Sequence, residues 1–156
     1  MLVEVQNLEK SHTSPSGGGS VAVLRGLDFC LEAGGSVAVL GPSGSGKSTL
    51  LNILGSLDRA DGGTVRVDGQ EVGNMNERAV AEYRAKTVGF VFQMHHLLPQ
   101  CSVWENVLAP TLVRPRAERR LAQERAKSLV DEVGLAHRLE HRPGELSGGS
   151  VSGSPS

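Results

Sequence analysis

Apolar and polar residues alternate along three stretches in the first half of the chain. They are Leu2 to Leu8, Leu27 to Leu31 and Val65 to Val67, and Gly-rich breaks accompany them. Alternation with a period of two is typical of strands that bury one face. The pattern predicts an antiparallel β layer, with Ser11 to Ser20 as a loop because that Ser/Gly/Pro segment has no apolar periodicity.

Two wholly apolar runs predict buried parallel strands. Val37 to Leu40 leads directly into a Gly-rich segment, and Val88 to Phe92 follows a predicted helix over Asn76 to Lys86. Another helix is predicted to begin near Lys47, since leucines recur at helical spacing after it. Strands that alternate with helices in this way indicate an α/β fold.

Helical patterns dominate the second half of the chain. A short helix is predicted over Val103 to Leu112, ending near Pro115, and a longer one over Arg116 to Val133. Gly134 stands where a helix stop is expected. We therefore predict a helical subdomain. The apolar residues that share one face of its long helix are Leu121, Ala122, Ala126, Leu129, Val130 and Val133.

Composition narrows the choice of partners and compartment. The 156 residues suit one domain, and 16 basic against 17 acidic residues give a net charge of -1, so no overall field attracts nucleic acid. Phosphate binding must therefore come from a local site. Two cysteines are too few for a disulfide framework, and no leader or apolar membrane span is visible. We expect a cytoplasmic protein.

The residues between the first apolar run and its helix match the phosphate-loop pattern G-x-x-x-x-G-K-[ST] at every defined position. Glycines let backbone N–H groups surround an anion, and the helix adds about half a positive charge at its amino end. Lys47 would reach the β- and γ-phosphates, and Ser48 would hold Mg²⁺. The alternative is a Gly-rich turn that merely caps a helix. The predicted nucleotide-binding residues are Gly41, Pro42, Ser43, Gly44, Ser45, Gly46, Lys47, Ser48 and Thr49.

Further segments, in order along the chain, resemble those of ABC transporter nucleotide-binding domains. Gln93, in Val91-Phe92-Gln93, resembles the Q-loop residue, which in that family helps to place Mg²⁺ and the attacking water and senses the membrane partner. Alone, it would read as an ordinary polar residue at a strand end. Leu24 to Leu27 and Asp61 to Thr64 resemble turns of the family's β subdomain.

A later segment resembles the ABC signature. In the family it closes over the γ-phosphate held by the other subunit of a head-to-tail homodimer, and a serine hydroxyl with glycine amides at a helix start is suited to an anion. The resemblance implies a phosphate-loop NTPase fold of the ABC type, with ATP and Mg²⁺ as cofactors. The segment is Leu146, Ser147, Gly148 and Gly149.

The stretches Phe92 to Pro99 and Glu105 to Val107 look most like the lipoprotein-releasing branch of the family. This implies coupling of ATP binding and hydrolysis to lipoprotein release, with membrane subunits as partners on the inner face of a bacterial inner membrane. ATPases of related exporters are the alternative. His12 occupies the place where such subunits usually stack adenine on an aromatic ring. It is either that stacking residue or a solvated loop histidine.

In the family, an apolar strand ending in Asp-Glu (Walker B and the catalytic Glu) and then a switch His follow the signature, and none of these follows Gly149. Residues 1–149 are thus expected to be a partial nucleotide-binding domain and 150–156 a non-family tail. Asp131-Glu132 is a decoy on a predicted solvated helix face. We expect exposed apolar strand edges, poor solubility and only background turnover. The alternatives are a non-catalytic ATP-binding module or the inactive fragment of a frameshifted gene.

Overall fold

The computed structural model describes residues 1–13, 17, 19–93 and 96–146. The chain divides into two compact units, the first from Met1 to Phe90 and the second from Val91 onward. The helices of the described residues are all too short or too polar to cross a membrane. Each unit has its own local architecture.

The first unit is built on an antiparallel sheet with strand order β2-β1-β3-β4. β1 (Val3–Thr13) pairs with β2 (Ser20–Leu31) on one side and with β3 (Gly62–Val67) on the other, and β3 pairs with the short β4 (Gln70–Glu71). The predicted antiparallel layer is therefore confirmed. The first two strands extend further than predicted, because pairing to each other holds residues 11–13 and 20 that lack apolar periodicity.

A bulge in β1 sets which side chains reach the core. Val5 and Leu8 are both buried although three positions separate them, an odd spacing that regular alternation would place on opposite faces. The register shifts between these two residues, and Asn7 adopts a φ of 48° while its N–H donates to Asp28 Oδ1 at 2.7 Å. The extra residue returns Leu8 to the core face.

Two helices complete the core of the first unit. α1 (Lys47–Leu54) contributes Leu50 and Ile53, while α2 (Glu77–Lys86) contributes Tyr83, and all three are buried in one cluster with residues of the sheet. The start of α2 agrees with its predicted position, since the Asn76 side chain accepts a hydrogen bond from the Ala79 N–H at 2.9 Å. A 3₁₀ turn (Val72–Asn74) precedes it.

The two predicted parallel strands are wrong. Neither Val37 to Leu40 nor Val88 to Phe92 is assigned to a strand or paired in the sheet formed by the described residues. Leu40 is 89% exposed and Val91 is fully exposed, whereas Val88 packs against the core. An apolar run indicates a tendency to be buried, but a strand also needs a neighbouring strand to accept and donate its hydrogen bonds.

The second unit is helical. It contains α3 (Val103–Leu108), α4 (Arg116–Glu132) and α5 (Pro143–Leu146), with 3₁₀ turns at Ala109–Thr111 and Ala136–Arg138. The predicted helix over 103–112 is thus an α-helix followed by a 3₁₀ turn. α3 begins with a capping box, in which Ser102 Oγ accepts from Glu105 N and Glu105 Oε2 accepts from Ser102 N.

Only part of the apolar face of the long helix α4 is buried. Ala126 and Val130 are buried, but Leu121, Leu129 and Val133 remain largely exposed, so the predicted apolar face is covered only along its centre. Asp131 and Glu132 are exposed, as expected of a solvated face. Gly134 follows with a φ of 73°, which is the left-handed conformation expected after a helix end.

One side chain organises the segment before α3. Asn106 Nδ2 donates to the carbonyl oxygens of Leu98, Cys101 and Ser102 at 2.9–3.2 Å, and its Oδ1 accepts from the Leu98 N–H at 2.8 Å. The amide therefore replaces hydrogen bonds that this irregular backbone would otherwise make to water.

Candidate nucleotide-binding site

The predicted phosphate loop occupies residues 41–46 and leads directly into α1, whose first residue is Lys47. The first helical hydrogen bond runs from Leu50 N to Gly46 O at 2.9 Å. The preceding amides, those of Lys47, Ser48 and Thr49, therefore have no acceptor within the helix. Ser48 is exposed on this first turn. Backbone donors, a helix amino end and a hydroxyl thus converge at one place.

Gly46 joins the loop tightly to β2. It has a φ of 92° and is buried, and a Cβ there would lie 2.9 Å from Val23 Cγ1 and 3.1 Å from the Val23 carbonyl oxygen. Gly44 also has a positive φ, of 79°, but no heavy atom lies within 4 Å of its ideal Cβ position. Glycine is therefore needed at 46 for both conformation and space, and at 44 for conformation alone.

The Lys47 ammonium group turns back onto its own loop. Nζ donates to the carbonyl oxygens of Gly41 at 2.9 Å and Pro42 at 2.6 Å, and it lies 3.4 Å from Ser45 Oγ. The loop is also closed by a hydrogen bond from Ser45 N to Pro42 O at 3.3 Å. The cation therefore rests within the loop that it would use to hold phosphates.

A pocket of about 380 Å³ opens beside the loop, a volume within the usual range of small-molecule sites. His12 Nε2 lies 3.2 Å from Thr49 Oγ1, both residues line the pocket, and the exposed imidazole stands near the end of β1. The structure thus brings His12 and part of the phosphate loop together around one cavity. The lining residues are His12, Thr13, Val21, Val23, Gly44, Gly46, Lys47, Ser48 and Thr49.

A larger groove of about 660 Å³ is lined by residues 23–27 and 29 of β2, by residues 37–42, and by Ser45, Gly46, Lys47 and Leu50. Its lining includes exposed Val37 and Leu40 as well as Phe29 and Leu27 of β2. Residues of the phosphate loop therefore line both cavities, and His12 lines the smaller one.

A cluster of charges holds the end of β1 next to the pocket. Lys10 Nζ lies 3.1 Å from Asp58 Oδ1 and 3.3 Å from Asp61 Oδ1, and it donates to the Arg59 carbonyl oxygen at 2.6 Å. Ser11 N donates to Asp61 Oδ2 at 2.7 Å. We call Lys10, Asp58 and Asp61 the β1 clamp.

The clamp shifts the pKa of each of its members. Burial disfavours the charge on Lys10, but hydrogen bonds and attraction from Asp58 and Asp61 outweigh it and raise the pKa of Lys10 above its usual 10.5. Burial likewise opposes ionisation of Asp58, yet Lys10 keeps the pKa of Asp58 below its usual 3.8. The Ser11 N–H is the main reason that the pKa of Asp61 is lowered, and Lys10 adds to it.

The other predicted site residues belong to the second unit or lie outside the described residues. Gln93 is exposed at a bend near the start of that unit, and Leu146 is the last residue of α5. Ser147, Gly148 and Gly149 lie outside the described residues. Their roles, like that of Gln93 in holding Mg²⁺, remain predictions.

Sequence reasoning missed the β1 clamp and the role of Asn106. Sequence patterns place Asp61 and Asn106 only within family-like segments and indicate no role for Lys10 or Asp58. The signal in the sequence is a lysine just after a predicted strand, with two aspartates three positions apart after a predicted helix. Charge alone does not identify which of many acidic residues a lysine meets.

Together, the fold and this loop define the class, a phosphate-loop NTPase domain. The family model described as ABC transporter matches residues 24–152, so the chain belongs to the ABC transporter family. It resembles the lipoprotein-releasing system ATP-binding protein LolD 1 of Rhodopirellula baltica, with 51% identity over 151 residues. A LolD protein of Porphyromonas gingivalis is 43% identical over 149 residues.

Comparison with solved structures also finds ATP-binding cassettes. A dimeric ATP-binding cassette, MJ0796, described in a post-hydrolysis state with ADP and Pi, is 32% identical with a TM-score of 0.81, over 94% of this chain and 64% of that one. The alignments to the two LolD proteins cover 96% of this chain but 63% and 65% of those relatives. The chain therefore spans just under two thirds of their length.

Proposed function

We propose that the chain is part of the ATP-binding subunit of an ABC transporter that couples ATP binding and hydrolysis to lipoprotein release. The observation that carries the proposal is the phosphate loop at the amino end of α1, with Lys47 and the exposed Ser48 beside a 380 Å³ pocket. Lipoprotein is proposed as the cargo because the relatives are named as parts of lipoprotein-releasing systems. The first of them shares 51% of its aligned residues with this chain.

The proposed ligand is MgATP. Amides and loop residues 41–49 would surround the phosphates, Lys47 would move from the loop carbonyls to the β- and γ-phosphates, and His12 would stack on the base. The Ser48 hydroxyl is a hard oxygen ligand of the kind that Mg²⁺ accepts alongside phosphates and water. Bound Mg²⁺ would neutralise charge on the phosphates.

The proposed partners are membrane subunits and a second ATP-binding subunit. Gln93 would transmit the nucleotide state to the membrane subunits, and residues 146–149 would complete the site of the opposite subunit in a head-to-tail homodimer. Such a complex would lie on the cytoplasmic face of a bacterial inner membrane. The dimeric state described for the MJ0796 cassette supports this arrangement.

We further propose that the 156-residue chain alone binds ATP but turns it over only at background rate. The segment expected to supply a carboxylate general base and a switch His after the signature does not occur among its residues. Positioning by the phosphate loop without a base leaves the attacking water unactivated.

Isothermal titration of the purified chain with MgATP tests binding, and release of inorganic phosphate tests turnover. Lys47→Ala should abolish measurable binding, whereas Lys127→Ala removes an exposed positive charge from α4 in the second unit and should leave binding unchanged. Equal binding by wild type and Lys47→Ala would refute the ATP site. Phosphate release that depends on Lys47 would refute the absence of turnover.

A further inference from the structure

Asp61 continues the support of β1 beyond the end of β3. The last paired residues of these strands are Glu9 and Gly62, so β1 runs on from Lys10 to Thr13 without a β3 partner. Asp61 N donates to Glu9 O at 2.9 Å, and Asp61 Oδ2 accepts from Ser11 N at 2.7 Å. One residue therefore holds the backbone on both sides of Lys10.

Lys10 fixes the orientation of this carboxylate. Its side chain is only 12% exposed and meets three oxygen atoms, those of Asp58, Asp61 and the Arg59 carbonyl, within 3.3 Å. Long lysine side chains usually keep many rotamers in water. Here, the contacts restrict the ammonium group to one position and join β1 to the segment after α1.

His12 comes directly after the clamped Ser11, and its ring contacts Thr49 on α1. The clamp therefore holds the backbone one residue before the imidazole. The phosphate loop has separate supports, since Lys47 contacts Gly41 and Pro42, and Gly46 packs against Val23. The described lining of the 380 Å³ pocket does not include the three clamp residues.

We propose that Lys10, Asp58 and Asp61 are positioning residues that hold the His12 ring beside the phosphate loop and thereby set the affinity for the base of a bound nucleotide. The inference rests on the proposed ATP-binding function. A stacked ring contributes only in a restricted geometry, so a loosened β1 end would lose base contacts while the loop still holds phosphates. Disruption of the clamp should therefore weaken the binding of ATP but not that of inorganic tripolyphosphate, which has no base.

Titrations with MgATP and with magnesium tripolyphosphate test the inference on wild type, Asp61→Asn, His12→Ala and the double variant. Asp61→Asn keeps the side-chain shape but removes the charge that Lys10 and Ser11 contact. We expect it to weaken ATP binding by about 2- to 10-fold, the range that loss of one stacked ring produces, and to leave tripolyphosphate binding within about twofold. In the His12→Ala background, Asp61→Asn should have no further effect on ATP.

Two controls keep the result interpretable. Asp68→Asn makes the same chemical change at an exposed position of the same unit and should alter neither affinity. Lys10→Met removes the ammonium group but keeps the aliphatic stem, and it should reproduce the Asp61→Asn result. Circular dichroism melting of each variant identifies loss of fold, in which case Lys10→Met replaces Asp61→Asn.

Equal weakening of ATP and tripolyphosphate would overturn the inference, because the clamp would then support the whole site. A further loss of ATP affinity in the His12→Ala background would also overturn it, since the clamp would not act through His12. In both cases wild-type binding of ATP would survive. Failure of the wild-type chain to bind either ligand would instead remove the proposed function, and the inference with it.

Discussion

The Lys47 ammonium nitrogen lies 2.6 Å from the Pro42 carbonyl oxygen. A cation that would hold phosphates in the ligand-bound chain here satisfies carbonyl groups of its own loop. Nucleotide binding would therefore exchange these hydrogen bonds for bonds to phosphate oxygens. The lysine is therefore also part of the hydrogen-bonded structure of the loop.

We predict that Lys47→Ala lowers the free energy of unfolding of the nucleotide-free chain by about 1–2 kcal/mol, because it removes hydrogen bonds from a charged donor to two carbonyls. Urea denaturation without ATP measures the change. Lys127→Ala, at an exposed position on α4, is the matched control. Unchanged stability of Lys47→Ala would mean that its loop contacts contribute nothing.

Two glycines of the phosphate loop should differ in tolerance to alanine. Gly44→Ala places a methyl group in open space and should cost about 1 kcal/mol, mainly from its positive φ. Gly46→Ala adds contact with Val23 and Leu24 to a similar strain and should cost about 2–4 kcal/mol. Denaturant midpoints compare the pair. An equal loss at both positions would show that the packing against β2 is unimportant.

The buried hydroxyl of Tyr83 donates to the Leu54 carbonyl oxygen at 2.6 Å, at the carboxyl end of α1. Tyr83→Phe should destabilise the chain by about 1–2 kcal/mol, since it leaves that carbonyl without this donor. Burial also raises the pKa of Tyr83 above its usual 10.0. Wild type should therefore lose stability as pH rises above about 10, because the unfolded chain ionises first, and Tyr83→Phe should lose less.

The β1 clamp predicts a loss of stability in acid. The pKa values of Asp58 and Asp61 lie below their usual 3.8 in the folded chain, so their contribution is complete above that value. It is lost as pH falls through the lowered values, because the folded chain must then take up protons that the unfolded chain already binds. Thermal melting between pH 6 and about 2.5 should show a shallower decline for a variant with both aspartates changed to Asn.

A decline of the same steepness in wild type and the double Asn variant would contradict this assignment.

At alkaline pH the clamp affects stability in the opposite direction. The raised pKa of Lys10 stabilises the fold below 10.5, and that contribution is lost as pH rises through the raised value. Lys10→Met should remove this part of the alkaline decline while leaving the part due to Tyr83.

The elements that sequence predicted well are those with local causes. The phosphate loop, the start of α1 and the stop at Gly134 each follow from neighbouring residues, so a short pattern is sufficient. Val37 to Leu40 failed as a strand because pairing depends on another strand elsewhere in the chain, which apolar character does not reveal. Family resemblance makes His12 only a candidate for stacking on the base, and its contact with Thr49 depends on the fold.

The β1 clamp shows the same limit at the level of single side chains. Lys10 and Asp61 are separated by 51 positions, and 16 other acidic residues compete on sequence grounds as partners. Only the antiparallel pairing of β1 with β3 brings this aspartate beside the lysine. Long-range charge pairs of this kind can therefore be predicted only once the strand topology is known.

Asn106 connects the segment before α3 rigidly to the helix. Its side-chain amide accepts from the Leu98 N–H and donates to the Leu98 carbonyl, as a neighbouring strand would. It also donates to the carbonyl oxygens of Cys101 and Ser102. A displacement of exposed Leu97 or Leu98 would therefore be transmitted to α3, because these hydrogen bonds keep the connecting segment rigid. Displacement at this surface and tilt of the helix are therefore expected to occur together.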